Sequence, residues 1–244
     1  MNDLKIALEL YTVRDETKRD FAGTLRRVAQ IGYAGVEFAG YGNLTSQEMS
    51  ALLAETGLRV AGTHLALDAL QGPQLDASIR YCQDINCSII VLPWLSNEWR
   101  TPEGMRALAP QLNAIGQRCR QHGITFGYHN HDFEFAHING GYLLDTLLQN
   151  TDPSLVKIEL DVYWAAYAGV DPLAYLQMLG DRVALIHLKD MAPDRSMTEV
   201  GKGMLDMQGI CAFAQARGLW GVVEHDHPQI PSLESARISL EYFK

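Results

Sequence analysis

Eight times between Lys5 and Tyr242 a short apolar run gives way to a longer segment with helical periodicity, and this alternation limits the fold more than any other feature. Strand candidates are "KIALELYTV", "YAGVEFAG", "LRVAGTHLAL", "CSIIVLPWL", "ITFGYHNH", "LVKIELDVYW", "RVALIHLKD" and "LWGVVEHD". The segments between them predict helices over 21–31, 46–56, 75–85, 102–122, 141–149, 172–179, 207–217 and 233–242. Gly57 and Gly123 follow helices as stop signals, and Asp171-Pro172 reads as an N-cap with proline at the first helical position. Strands that alternate with helices form a parallel sheet. Eight such units in 244 residues match the size of a closed (β/α)8 barrel. An open doubly wound sheet is the alternative. No GxGxxG or Walker-type loop follows any strand, which removes its main nucleotide-binding versions. No Ser/Pro-rich linker or charge block interrupts the pattern, so the expectation is one α/β domain over 1–244, a TIM barrel.

Composition excludes several function classes. The chain carries 29 acidic and 20 basic residues, a formal charge of −9, with no Lys/Arg run to track a phosphate backbone. Nucleic acid is therefore not an expected partner. No segment has the length and apolarity of a membrane span, and "MNDLKIALELYTVRDE" lacks an apolar signal core, so a cytoplasmic location is expected. Cys82, Cys87, Cys119 and Cys211 have no CxxC spacing and suit reduced thiols.

Chemistry in such barrels sits where strands end and lead into helices. In this sequence those ends carry Glu37, His64, Trp94, His129 with His131, Asp161, His187 with Lys189, and Glu224 with Asp226. Residues two apart on a strand share a face, so Glu159 and Asp161 point the same way, as do the other pairs. A lone strand-end histidine such as His64 is commonly a hydrogen-bonded structural group. A carboxylate that ends an apolar run, as in "IELDVYW" or "VVEHD", is different, because burial demands a cation or strong donors. One divalent ion (Mn²⁺, Mg²⁺, Co²⁺ or Zn²⁺) near Asp161, His187 and Glu224 would meet that demand, and no strand-end cysteine imposes zinc. Trp94, Trp99 and Trp164 could stack on sugar rings or simply fill space. "EVGKGMLD" offers glycines and Lys202 to an anion or hydroxyl, or is an ordinary turn.

"LELYTVRDE", "GYAGVEFAGYGN", "GYHNHDFEF", "ELDVYWAAYAGVDP", "IHLKD", "EVGKGMLD" and "VVEHD" together resemble the xylose isomerase-like TIM barrels, over nearly the whole chain. That group includes sugar phosphate isomerases and epimerases, inosose dehydratase, hydroxypyruvate isomerase and endonuclease IV. The resemblance implies one divalent metal held by Glu, Asp, His and Glu from strands five to eight. Asp161, His187 and Glu224 occupy three of those places, and His129 stands where the strand-five glutamate would be. The histidine that usually follows the aspartate by three residues is replaced by Trp164.

The shared chemistry implied is proton abstraction next to a carbonyl of a (keto)sugar or sugar derivative, followed by reprotonation or, as in relatives that handle 3-keto-sugars and their glycosides, by loss of a β-substituent. Metal ligands are then expected at His129, Asp161, His187 and Glu224. Proton transfer falls to Glu224, His131 or Lys189, with Glu134 in reserve, and substrate contacts to Glu37, His64, Trp94, Trp164 and Lys202. Phosphodiester cleavage would need a multi-zinc cluster and a basic surface. A sugar-binding barrel without turnover is the reading from another class. The resemblance also allows a homo-oligomer, although no segment marks an interface.

Overall fold

The computed structural model describes residues 4–138 and 140–244. Eight parallel strands close into a barrel: β1 Lys5–Glu9, β2 Gly35–Phe38, β3 Arg59–His64, β4 Ile89–Leu92, β5 Thr125–His129, β6 Val156–Asp161, β7 Val183–Leu188 and β8 Trp220–Val223. Ring closure comes from β1 pairing with β8, with Ala7 opposite Val222. The doubly wound alternative is thereby removed, and the eight-unit α/β expectation holds. Among the described residues no helix is long and apolar enough to cross a membrane. All four cysteines are free and buried.

Local chemistry sets most boundaries. Helix Ser46–Thr56 begins with a capping box between Thr45 and Glu48 and stops at Gly57, whose φ of 73° is costly for a residue with a Cβ. Helix Gly72–Asp84 starts a turn earlier than the periodicity predicts, because Pro73 is pre-organised for a first turn. Helix Leu143–Asn150 starts later, since Gly141–Tyr142 pair with His137–Ile138 as a small hairpin. The first strand is shorter than expected. Glu9 turns its carboxylate back onto the Tyr11 N–H and opens a 3-10 turn over Leu10–Val13.

The barrel interior is layered. Ala7, Ala61, Val91, Leu185 and Val222 form a small apolar core, with Ile89 and Trp220 against it. Their volumes fill the tube, so nothing passes through it. Above them the inward positions become polar: Glu9, Glu37, His64, His129, Glu159, His187 and Glu224. Bulges fall at the change, between Val36 and Glu37 and between Ile158 and Glu159. The extra residue lies on the neighbouring strand each time, Ala61 on β3 and Ala184 on β7, which sets Gly62 opposite Glu37 and Leu185 opposite Glu159. Opposite the first bulge Gly62 makes the room: a Cβ would lie 2.4 Å from Glu37 Oε1 and 2.9 Å from Leu185 Cδ1.

Candidate active site

A cavity of about 530 Å³ opens at the C-terminal ends of the strands, lined among others by Tyr11, His64, Trp94, His129, His131, Trp164, Lys189, Glu224 and Asp226. Asp161 and His187 lie just behind its floor, both 0% exposed. The strand-end residues from β3 to β8 thus converge on one place, as barrel geometry requires.

"GYHNHDFEF" divides its labour. His129 points inward. Asn130 ties β5 to β6: its Oδ1 accepts the Asp161 N–H at 3.0 Å and its Nδ2 donates to the Asp161 carbonyl at 3.3 Å. His131 reaches the cavity wall with Nδ1 buried and unpartnered. Glu134 takes the Tyr128 hydroxyl and, at 2.7 Å, the His131 backbone N–H. It is 0% exposed and absent from the cavity lining, and these bonds make it a clamp on the His131 loop.

Two buried carboxylates organise the imidazoles. His129 Nδ1 lies 2.8 Å from Glu159 Oε2, and His187 Nε2 lies 2.7 Å from Glu37 Oε2. Glu159 is held ionised and only accepts, so His129 Nδ1 carries a proton there, whereas burial, then Glu159, raises Glu37 above its ordinary value. The opposite nitrogens, His129 Nε2 and His187 Nδ1, face Asp161 Oδ2 at 3.7 Å and Glu224 Oε2 at 2.8 Å. Glu159 Oε2 also meets His64 Nε2 at 2.7 Å and His187 Nε2 at 3.3 Å, making it the hub of three histidines. Glu37, expected at the substrate, is instead 0% exposed behind His187. Glu9 and Glu159 carry no role in the sequence reading. The signal for Glu159 was its shared face with Asp161, and for Glu9 its inward alternation with Ala7.

The charges are unevenly held. Burial alone would raise Glu159 and Glu224, but nearby cations outweigh it and keep both well below the usual carboxylate range: His187 and His64 for Glu159, Lys189 and His187 for Glu224. Burial pushes His129 well below its ordinary value, whereas His187 is raised well above it, because Glu159, Glu224 and Glu37 outweigh the burial. Burial, then Lys189, takes His131 down to about 3, leaving a neutral imidazole in the cavity. The Lys189 ammonium sits 2.9 Å from Asp161 Oδ2, 2.8 Å from Glu224 Oε2 and 2.9 Å from Asp226 Oδ1.

His129, Asp161, His187 and Glu224 each offer one donor atom, all within 4.8 Å of one another. Two carboxylates and two imidazoles, each imidazole braced by a buried carboxylate, make a donor set that fits a divalent cation. His187 would first give up a proton, as metal binding to histidine requires. Lys202 lies elsewhere, exposed and outside the cavity lining. The amides of its loop are already used: Asp190 accepts from Gly201 and Gly203 N–H at 3.0 Å and from Leu205 N–H at 3.2 Å. An internal carboxylate has taken the place an anion would fill.

A closed (β/α)8 barrel with a carboxylate–imidazole cluster at its C-terminal mouth defines a TIM barrel with its buried polar groups at the end where that fold keeps its active sites. Within that class, this chain belongs to the xylose isomerase-like TIM barrel family, whose model matches residues 25–244. It is 26% identical over 195 residues to an inosose dehydratase of Geobacillus kaustophilus (strain HTA426), covering 70% of this chain and 62% of that relative's length. A sugar phosphate isomerase/epimerase from Parabacteroides distasonis ATCC 8503 superimposes with a TM-score of 0.81 at 25% identity, over 98% of this chain and 93% of the other. The fold is also that of a 3-keto-D-glucoside 4-epimerase from E. coli, with a TM-score of 0.74, 19% identity and coverage of 98% of each chain.

Proposed function

We propose that the protein moves a proton at the carbon beside the carbonyl of a keto-sugar or a related polyol ketone, as a divalent-metal-dependent isomerase or epimerase. The observation that carries this reading is the convergence of His129, Asp161, His187 and Glu224 on one point of the cavity floor. These four residues would hold the ion, which when bound supplies Lewis-acid polarisation of the substrate carbonyl. Glu37 and Glu159 keep the two imidazoles in the tautomers that offer a lone pair to it. Glu224, ionised and at the cavity edge, is placed to take the proton. The neutral His131 and the Lys189 ammonium line the same cavity as acid–base partners for the substrate oxygens. His64 and Trp164 are proposed substrate contacts. The indole Nε1–H of Trp164 is buried without a partner, so a substrate oxygen there would satisfy it.

A second reading is elimination, in which the same abstraction is followed by loss of a β-hydroxyl or other β-substituent. It is favoured by the similarity to an inosose dehydratase. Solvent deuterium uptake tests both, using Mn²⁺-loaded protein with free ketoses, inososes and 3-keto-glucosides. Uptake with return of an isomer supports the first reading, and an unsaturated product the second. Absence of exchange from every compound, with Asp161→Asn indistinguishable from the parent in Mn²⁺ binding, would leave neither standing.

A further inference from the structure

The four ligands proposed above sit at the ends of β5 to β8, yet the polar floor continues onto β1, β2 and β3 with a second set of donors. Glu9 ends β1, Glu37 lies on β2 and His64 ends β3. Together with His187 they offer donor atoms that all lie within 4.8 Å of one another. Glu9 and Glu37 are both 0% exposed, and neither belongs to the first group of ligands.

Each of these carboxylates has one oxygen engaged and one left over. Glu9 Oε1 accepts the Tyr11 N–H at 3.1 Å, and Glu37 Oε2 meets His187 Nε2 at 2.7 Å. Glu9 Oε2 and Glu37 Oε1 are buried with no hydrogen-bond partner. Such an oxygen is costly in either protonation state, since an acid lacks an acceptor for its O–H and a carboxylate lacks a donor. His64 Nε2 lies 3.7 Å from Glu37 Oε1. That is too far for a hydrogen bond, but an ion about 2.0–2.2 Å from each atom bridges it.

Charge points the same way. Glu9, Glu37, Glu159, Asp161 and Glu224 are each no more than 6% exposed, and of these the Lys189 ammonium reaches only Asp161 and Glu224. One divalent ion at Asp161 and Glu224 leaves Glu9 and Glu37 facing imidazoles alone. Burial pushes Glu9 well above the usual carboxylate range, and burial, then Glu159, raises Glu37, so the protein supplies too little positive charge to hold them ionised. A water molecule would satisfy the two oxygens but would not supply that charge.

We propose that Glu9, Glu37 and His64 hold a second divalent cation beside the first, with His187 between the two. His187 turns Nδ1 toward the first ion and keeps Nε2 on Glu37. Two carboxylates balance the charge of the second ion, and two oxygens with one imidazole suit Mn²⁺ or Zn²⁺. His64 gives up a proton to bind it, as metal binding to histidine requires. Three protein ligands leave a position for water or a substrate oxygen, and His64 lines the cavity from which either would come. The second site does not depend on which reaction the floor performs.

Metal stoichiometry tests it. The whole chain, stripped with chelator, is titrated with Mn²⁺ by calorimetry, and the manganese retained after gel filtration is counted by atomic emission. Two ions per chain are expected for the parent, one for Glu9→Gln and one for Asp161→Asn. Glu9→Gln keeps the size of the side chain and its bond to the Tyr11 N–H, and circular dichroism checks that it folds. His64→Gln, which leaves both carboxylates in place, is expected to lose the same ion. In the doubly loaded parent, coupling between neighbouring Mn²⁺ ions should broaden the paramagnetic resonance signal, and Glu9→Gln should restore the sharp signal of an isolated ion. One ion in the parent, lost in Asp161→Asn and kept in Glu9→Gln, overturns the second site and leaves the first standing. Two ions that Glu9→Gln and His64→Gln both retain overturn it equally. No ion in the parent removes both sites together.

Discussion

Replacing Glu159 with glutamine removes the charge on which three histidines converge while keeping the side chain's size. Glu159 Oε2 lies 2.7 Å from His64 Nε2 and 2.8 Å from His129 Nδ1. Both donors reach the same oxygen, so a glutamine carbonyl placed there can accept from both, while its NH₂ takes the place of Oε1, which has no hydrogen-bond partner. The loss is therefore the charge behind two hydrogen bonds plus one buried, unpaired NH₂ that favours amide flipping, roughly 1.5–3 kcal/mol. At about 2 kcal/mol and this chain length, the melting temperature falls by roughly 4–8 °C. His129 is then free to present either nitrogen toward Asp161, so divalent-ion affinity should drop about 10–100-fold. Thermal melts followed by circular dichroism measure the first effect, and Mn²⁺ titration calorimetry on chelator-stripped protein the second. Glu159→Leu should be worse than Glu159→Gln in both, since it strands two imidazoles beside an apolar group. If Glu159→Gln melts with the parent and binds Mn²⁺ within about twofold of it, Glu159 does not set the histidine orientation and the bracing argument is wrong.

Lys189→Met leaves Asp161, Glu224 and Asp226 without their shared cation and should cost about 3–5 kcal/mol in the metal-free protein. Because the ammonium competes for the same oxygens, Mn²⁺ should raise the melting temperature of this variant more than that of the parent; a smaller rise counts against competition. Burial pushes Glu134 up to about 7 from an ordinary 4.5, so between those pH values the unfolded chain ionises first and stability falls as pH rises. The fall is about 3 kcal/mol, and urea melts at pH 5 and pH 8 should show it shrinking in Glu134→Gln; parallel profiles would contradict the assignment. Gly62→Ala drives a methyl group into Glu37 and Leu185 and should cost about 1–3 kcal/mol by urea unfolding. A variant as stable as the parent would mean that the Glu37 carboxylate has another place to go.

Much of the fold is readable from the chain because its signals are local. Apolar runs mark the strands, and Thr45, Gly57, Asp171 and Pro172 mark helix ends through bonds made within a few residues. The four donors His129, Asp161, His187 and Glu224 are also readable, since each ends an apolar strand where barrel chemistry gathers. Glu37 and Glu134 lie deeper than their positions in the sequence indicate. Strand periodicity says which face a side chain takes and is silent about how deep it lies. Lys202 looked free for a ligand because the carboxylate that consumes its loop's amides, Asp190, lies outside the "EVGKGMLD" run.

The sequence by itself determines the eight-unit order, the faces on which polar residues fall, and the supply of carboxylates and imidazoles at the strand ends. Tertiary structure decided how they meet. Closure of the ring brings His64 on β3 to within 2.7 Å of Glu159 on β6, across 95 residues of chain. Register shifts on β3 and β7 set Gly62 opposite Glu37 and Leu185 opposite Glu159, and Gly62 opens the space that Glu37 fills. The physical reason is that stagger and closure are properties of the whole ring, fixed by the joint packing of its strands and inner layers, and no stretch of a few residues carries them.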